Sequence, residues 1–351
     1  MNNRTFFCLS MLVFLITACG APDKKEEKAL VIGNGQMPDI AGDTNGNIYI
    51  VYGSGDSILY ASSVDGGESY SDPVVVGILP ELAASHMRGP QIAVTATGIR
   101  ITASDKAGNI FLYSKEKKGN WLPAYKLNDV DTVAKEGLMD LYADGDNMFA
   151  VWLDLRDGHN KIFGAGSADG GKTWAKNKLV YASPDTTVCE CCKPSVYVKG
   201  NHVYVMFRNW LKGNRDLYLV QSENGGKNFG EAQKLGTGNW VLNGCPMDGG
   251  GISVQDNGVV QTVWRRQNKI YSCEPGKPEV EIGEGKSCTL ALVNNKAVYA
   301  WTENGLVTIL SAANRRALGK GRSAVIKPAG KDKVACVWEN ENRIYSAIIS
   351  L

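Results

Sequence analysis

The sequence lacks a long block of basic residues: Lys and Arg number 38 against 36 Asp and Glu, for a formal net charge of +2 over 351 residues. A nucleic-acid partner needs a concentrated positive footprint to neutralise phosphates, so this charge balance makes nucleic acid a poor candidate partner. Beyond the N-terminus no apolar run approaches the length of a membrane span. Leu-rich helical periodicity is almost absent, which argues against helical bundles. What is present is glycine, at 40 residues, among short alternating runs of Val, Ile and Tyr separated by Gly, Asn and Asp. That is the pattern of strands and tight turns.

The N-terminus carries a separate signal. Arg4 precedes an apolar run from Phe6 to Ile16, and Ile16-Thr17-Ala18-Cys19-Gly20 follows. A basic start, an apolar centre and small residues at the end make a secretory signal. The run is too short for the roughly 20 helical residues of a membrane span. The segment around Cys19 resembles a lipobox, the processing site of bacterial lipoproteins. The resemblance implies a signal peptide over 1–18, acylation of Cys19, and a polar tether to residue 28. Several acyl chains anchor firmly, at about 0.8 kcal/mol per buried CH₂. Gly20 after the cysteine points to the outer membrane by the same resemblance. The expectation is a lipid-anchored protein of the bacterial cell envelope, with residues 29–351 as one domain.

Repeats decide the architecture of that domain. One unit reads Pro38-Asp39-Ile40-Ala41-Gly42-Asp43, a turn at Thr44-Asn45-Gly46, a second strand from Asn47 to Tyr52 and a third from Ser57 to Ser62. The order recurs from Gly89, Leu138, Pro194, Gly250, Thr289 and Ser323. Second strands often end in an aromatic: Trp152, Phe207, Trp264, Trp301 and Trp338. Units of this length are the four-stranded blades of a β-propeller. The fold class is therefore all-β, with seven repeat units; the last two are short, and their merger would leave six blades. The chain ends near a third strand, so Ala29-Leu30-Val31-Ile32 is expected to supply the missing outer strand and close the ring, removing an exposed edge.

A second repeat lies after the third strands. Ser63-Val64-Asp65-Gly66-Gly67-Glu68-Ser69-Tyr70 recurs as Ser167-Ala168-Asp169-Gly170-Gly171-Lys172-Thr173-Trp174, and as Ser222-Glu223-Asn224-Gly225-Gly226-Lys227-Asn228-Phe229. Ser114 to Trp121 is a decayed copy. The Asp or Asn caps backbone N–H groups across a turn, and the glycines take positive φ. These octets resemble the Asp-box (BNR repeat) of the sialidase-like propellers, and with the blade repeats the resemblance covers essentially the whole mature chain. It implies the fold and leaves activity open, since Asp-boxes are turns on the rim.

The loops leading into first strands and those leaving second strands share the opposite face, and that face collects the unusual chemistry. Two functional readings follow. A sialidase-type glycoside hydrolase, acting on acidic sugars, would hold a carboxylate with Arg88, Arg208 and Arg265 and use Asp154 or Asp157 as acid. Arg88-Gly89-Pro90 is similar to the family's Arg-Ile-Pro segment but differs at its centre and lies in the second unit. No Tyr-Glu nucleophile pair is identifiable; Tyr218 and Tyr299 fit strand packing equally. A binding module would use Arg88, Arg208, Trp210, Arg265 and Arg266 to hold an anionic glycan or a protein partner. A scaffold with disulfide-stapled blades is the third alternative.

Cysteines are the most distinctive feature of this face. Cys8 leaves with the signal and Cys19 is consumed by lipid. Cys336 lies mid-strand, as a core thiol would, and Cys273 ends a third strand. Cys189, Cys191, Cys192, Cys245 and Cys288 precede the first strands of three successive units. Cys189-Glu190-Cys191-Cys192 and Cys245-Pro246-Met247 resemble paired segments of a bacterial lipoprotein subgroup of the sialidase-like proteins, which brings no activity with it. Thiolate and thioether ligands favour copper(I) or zinc, with His86, Met87 and Met247 as extensions of a Cys189, Cys191, Cys192 and Cys245 set. An exported location equally permits disulfides between adjacent blades, or redox chemistry.

Overall fold

The computed structural model describes residues 29–312 and 314–351. The expectations for Cys19, the signal and the tether lie outside these residues. The described chain forms seven four-stranded antiparallel sheets, each a blade of a propeller. Their first strands are Gln36–Gly42, Gln91–Val94, Met139–Asp144, Ser195–Lys199, Gly250–Val254, Lys286–Val293 and Arg322–Pro328. The two short final units each complete a blade, so seven is the count. No helix of the described residues is long and apolar enough to cross a membrane.

The seventh blade is assembled from both ends of the described chain. Arg322–Pro328, Lys333–Asn340 and Arg343–Ser350 pair in order, and Leu30–Asn34 adds as the outer strand, with Leu30 opposite Ser346 and Asn34 opposite Arg343. Ile32 is buried there beside Ile344 and Val337. The N-terminal strand thus hides an edge that would otherwise offer unpaired N–H and C=O groups.

The core is divided among the blade interfaces. Leu138, Phe149 and Val151 of the third blade meet Val196, Val205 and Phe207 of the fourth. Six similar clusters join the other neighbouring pairs, the last linking blade seven to blade one. Second strands therefore bury both faces, as in Asn147–Asp154, whose residues after the first are all buried. Sequences there read as continuous apolar runs instead of alternating ones. Trp152, Trp301 and Trp338 fill the largest volumes between blades.

All three well-formed octets build the same turn. Gly67 N donates to Ser63 Oγ at 2.8 Å and Ser69 N to Asp65 Oδ1 at 3.0 Å. The corresponding distances are 2.9 and 2.9 Å around Ser167 and Asp169, and 3.0 and 3.0 Å around Ser222 and Asn224. Gly226 has a φ of +83°, and a Cβ there would lie 2.2 Å from the Phe149 ring of the previous blade, so glycine is required twice over. Trp174 donates back to Gly171 O at 3.2 Å. In the decayed copy the cap is gone, but Trp121 still packs edge-on against Tyr60 at 5.4 Å.

Side chains at the start of the blades stitch neighbours together. Asp39 accepts from Ile92 N at 2.9 Å, Asp140 from Val196 N at 2.8 Å and Asp248 from Ser287 N at 3.1 Å. Each satisfies an inner-edge amide of the next blade, facing the channel, that the ladder leaves unpaired. Burial pushes the Asp39 and Asp248 carboxyls above the usual carboxylate range, against the pull of nearby cations.

Candidate functional site

The loops before blades four and five hold the sulfur site. Val188-Cys189 runs alongside the end of the second strand His202–Arg208, with Cys189 N donating to Arg208 O at 3.0 Å. The chain then turns through Cys191 and Cys192 into Lys193, whose Nζ donates to Gln91 Oε1 at 2.6 Å and pairs with Asp140 at 3.2 Å inside the central channel. The loop before blade five presses on this turn. A Cβ on Gly249 would sit 2.8 Å from Lys193 O, so the absence of a side chain lets the two segments meet.

Four sulfurs converge there. Cys191 and Cys245 form a disulfide with an S–S distance of 2.06 Å, linking the two loops. Cys189 Sγ lies 3.1 Å from Cys192 Sγ and 3.8 Å from Cys191 Sγ. The Cys189, Cys191 and Cys192 sulfurs all fall within 4.8 Å of one another. Cys189 and Cys192 are buried, whereas Cys245 is exposed.

Guanidinium groups stand against the sulfurs. Arg215 Nη1 donates to Cys189 Sγ at 3.2 Å. Arg208, 2% exposed, donates to Arg215 O at 2.7 Å and to Arg265 O at 2.8 Å. Its buried Nε has no hydrogen-bond partner among the described residues. Arg265 pairs with Asp248 at 2.7 Å and donates to Pro246 O at 2.6 Å, clasping the Cys245 loop. The Arg208 and Arg265 guanidiniums lie 5.1 and 5.4 Å from the ring centre of Trp240. The hydrogen bond with Cys192 favours a thiolate at Cys189; burial opposes it, and Arg208 and Arg215 add to the lowering, so the Cys189 pKa falls below the ordinary thiol range. Burial, reinforced by the neighbouring Cys189, pushes Cys192 well above it. The arrangement stabilises one negative sulfur among several.

The other sequence candidates are placed differently. Arg88 is half-buried and donates to Glu136 O at 2.5 Å, with Glu136 Oε2 at 3.4 Å. Arg266 pairs with Glu279 at 2.5 Å and covers the Tyr271 ring at 4.3 Å. Asp154 is wholly buried and accepts from Trp152 Nε1 at 2.9 Å and from two nitrogens of Arg156, each at 2.9 Å. Asp157 is exposed and pairs with Lys161 at 2.5 Å; that hydrogen bond holds its carboxyl below the usual carboxylate range. Both aspartates are already committed to a neighbouring cation, Asp154 to Arg156 and Asp157 to Lys161. Trp210 is 37% exposed, with the Arg215 guanidinium 4.8 Å from its ring centre.

The structure does not bring His86 into the sulfur group. It occupies an exposed turn before blade two, at a φ of +50°, while the sulfurs lie before blades four and five. Met87 packs on the apolar cluster between blades three and four. Met247, exposed at φ +48°, stays on the Cys245 loop. Cys288 is buried with Val263, Ile270 and Trp301, where burial pushes its thiol well up. Cys273 donates to the carbonyls of Glu274 and Lys277. Trp240 carries no repeat signature, so the sequence offered no signal for its role.

No family model matches the chain, and no curated protein matches it. Solved structures resemble its fold at low identity. A lectin, BP39L from Burkholderia pseudomallei, superposes with a TM-score of 0.64 at 8% identity, covering 91% of this chain and 96% of the lectin. An α-L-arabinanase from Penicillium chrysogenum gives 0.53 at 12%, covering 92% and 97%. The GH93 α-L-arabinofuranosidase of Fusarium graminearum gives 0.52 at 10%, covering 90% and 93%. Together with the sheet topology, these likenesses show the architecture: the described residues form a seven-bladed β-propeller.

Proposed function

We propose that the protein is a lipid-anchored propeller of the bacterial cell envelope that binds through its channel face. The ligand this face is best built for is a soft metal ion, copper(I) or zinc. Cys189, Cys191, Cys192 and Cys245 would hold it once the Cys191–Cys245 bond is reduced. The observation that carries this reading is the convergence of four sulfurs from two blades, two of them buried and not disulfide-bonded. A staple between blades needs two sulfurs, not four. Thiolates select soft metals, and the guanidiniums of Arg208 and Arg215 would offset the charge of several thiolates in one place.

Binding of a glycan or protein partner at the same face draws support from Trp210, the exposed ring beside Arg215. A hydrolase that grips a carboxylate through Arg208 and Arg265 is disfavoured, since their donors already serve backbone carbonyls and Asp248. Anaerobic purification after reduction, followed by copper(I) or zinc loading and elemental analysis, tests the metal reading. Stoichiometric metal, lost in a Cys191→Ser, Cys192→Ser, Cys245→Ser variant that melts like the parent, supports it. A reduced protein that takes up neither metal refutes it.

A further inference from the structure

Cys189 and Cys192 stand in a C-x-x-C spacing with their sulfurs 3.1 Å apart, and Cys189 Sγ is also 3.8 Å from one sulfur of the adjacent disulfide. A simple staple has no thiol within reach of its sulfurs; this one has a buried pair beside it. The far sulfur belongs to Cys245, on an exposed loop, while Cys189 and Cys192 are buried.

We propose that the cluster is an intramolecular disulfide relay, in which one disulfide passes between the Cys191–Cys245 position and the Cys189–Cys192 position and thereby frees or masks a surface thiol at Cys245. The inference rests on the reading of the sulfur cluster as the functional site, and adds an activity that needs no metal. Disulfides exchange when a sulfur nucleophile reaches one of their sulfurs. In the first step Cys189 Sγ attacks Cys191 Sγ. The Cys189–Cys191 bond forms, the Cys191–Cys245 bond breaks, and Cys245 leaves with the electron pair and takes up the proton that Cys189 gives up. In the second step Cys192 Sγ attacks Cys189 Sγ. The Cys189–Cys192 bond forms, Cys191 leaves, and the proton of Cys192 passes to it. One disulfide and two thiols exist before and after, so no oxidant or reductant is consumed. The exchanged form presents Cys245 as a free thiol at the surface, where a thiol-reactive partner would meet it.

The test uses the oxidised protein in chelator, with a bulky maleimide added under native conditions and the labelled and disulfide-linked peptides mapped by mass spectrometry. The relay predicts time-dependent labelling at Cys245 together with appearance of a Cys189–Cys192 linkage. Cys189→Ser abolishes that labelling. Cys192→Ser still permits it but traps the Cys189–Cys191 linkage instead. A native circular dichroism spectrum and an unchanged melting temperature confirm that both variants fold. Absence of Cys245 labelling in the folded parent overturns the relay, as does equal labelling in Cys189→Ser. Because no metal is present, failure here leaves the metal result to be judged on the reduced protein.

Discussion

Arg215 joins the two unusual features of the channel face: its Nη1 donates to Cys189 Sγ at 3.2 Å, and its guanidinium lies 4.8 Å from the ring centre of Trp210. A charge-assisted hydrogen bond of this kind contributes about 1.5–3 kcal/mol. Removing it disfavours the charged form of the thiol. Arg215→Gln should therefore move the Cys189 titration, followed by thiolate ultraviolet absorbance, upward by about one to two pH units. The sign follows from the lowered pKa: the thiolate persists below the ordinary thiol range in the parent and is lost sooner on acidification in the variant. An unmoved titration would show that Arg215 does not help to set the Cys189 charge.

Arg208 carries a prediction that separates scaffold from catalysis. Its two Nη atoms serve the carbonyls of Arg215 and Arg265. Arg208→Ala leaves those buried acceptors unsatisfied, at about 1–3 kcal/mol for each. The variant should melt well below the parent. Parent and variant alike should fail to release sialic acid from an aryl sialoside. Turnover in the parent, abolished in Arg208→Lys without loss of stability, would restore the hydrolase reading.

The Asp-box turns supply a pH test. At Asp169, burial works against the charge, but hydrogen bonds from Thr173, Ser167 and Lys172 outweigh it and hold the carboxyl down at about 2. A depressed carboxyl stabilises the fold above its unfolded value and loses that contribution as pH falls through the folded one. The turn should weaken between about pH 4 and 2. Asp169→Asn should cost little at neutral pH, because Asn224 makes the same turn in blade four. It should also flatten the acid dependence of the melting temperature, whereas Asp169→Ala should lose about 1 kcal/mol. Equal losses in the Asn and Ala variants would contradict this account.

Ring closure is tested at Ile344, which is fully buried where blade seven meets Leu30–Asn34. Ile344→Ala should destabilise by about 2–5 kcal/mol. Ile32→Asp should act at least as strongly, by placing a charge in the same cluster. Denaturant melts that leave either variant unchanged would show that the N-terminal strand does not close the ring.

Much of the fold was legible because its signals are local and repeated. The octet at Ser167 dictates its own turn through Asp169 and two glycines, whatever the rest of the chain does. The closing role of Leu30-Val31-Ile32 followed from a unit left without its fourth strand. The site was legible only in its sulfurs. Cys189, Cys191, Cys192 and Cys245 announce themselves by spacing, but one partner of Arg208, the Arg265 carbonyl, comes from a strand of the next blade 57 residues further along the chain. Trp240, which lies against Arg208 and Arg265, belongs to no repeat. His86 sits on an exposed turn before blade two, outside the group of Cys189, Cys191 and Cys192.

The central claim is that the four channel-face sulfurs form one ligand set for a soft metal. Metal-edge X-ray absorption on the reduced protein, loaded with a single equivalent of zinc, tests it most directly. The account predicts a first shell made of sulfur at about 2.3 Å, which collapses to oxygen or nitrogen neighbours in Cys191→Ser, Cys192→Ser, Cys245→Ser. A parent spectrum of oxygen and nitrogen neighbours alone, with the four thiols still reactive toward maleimide, would contradict it.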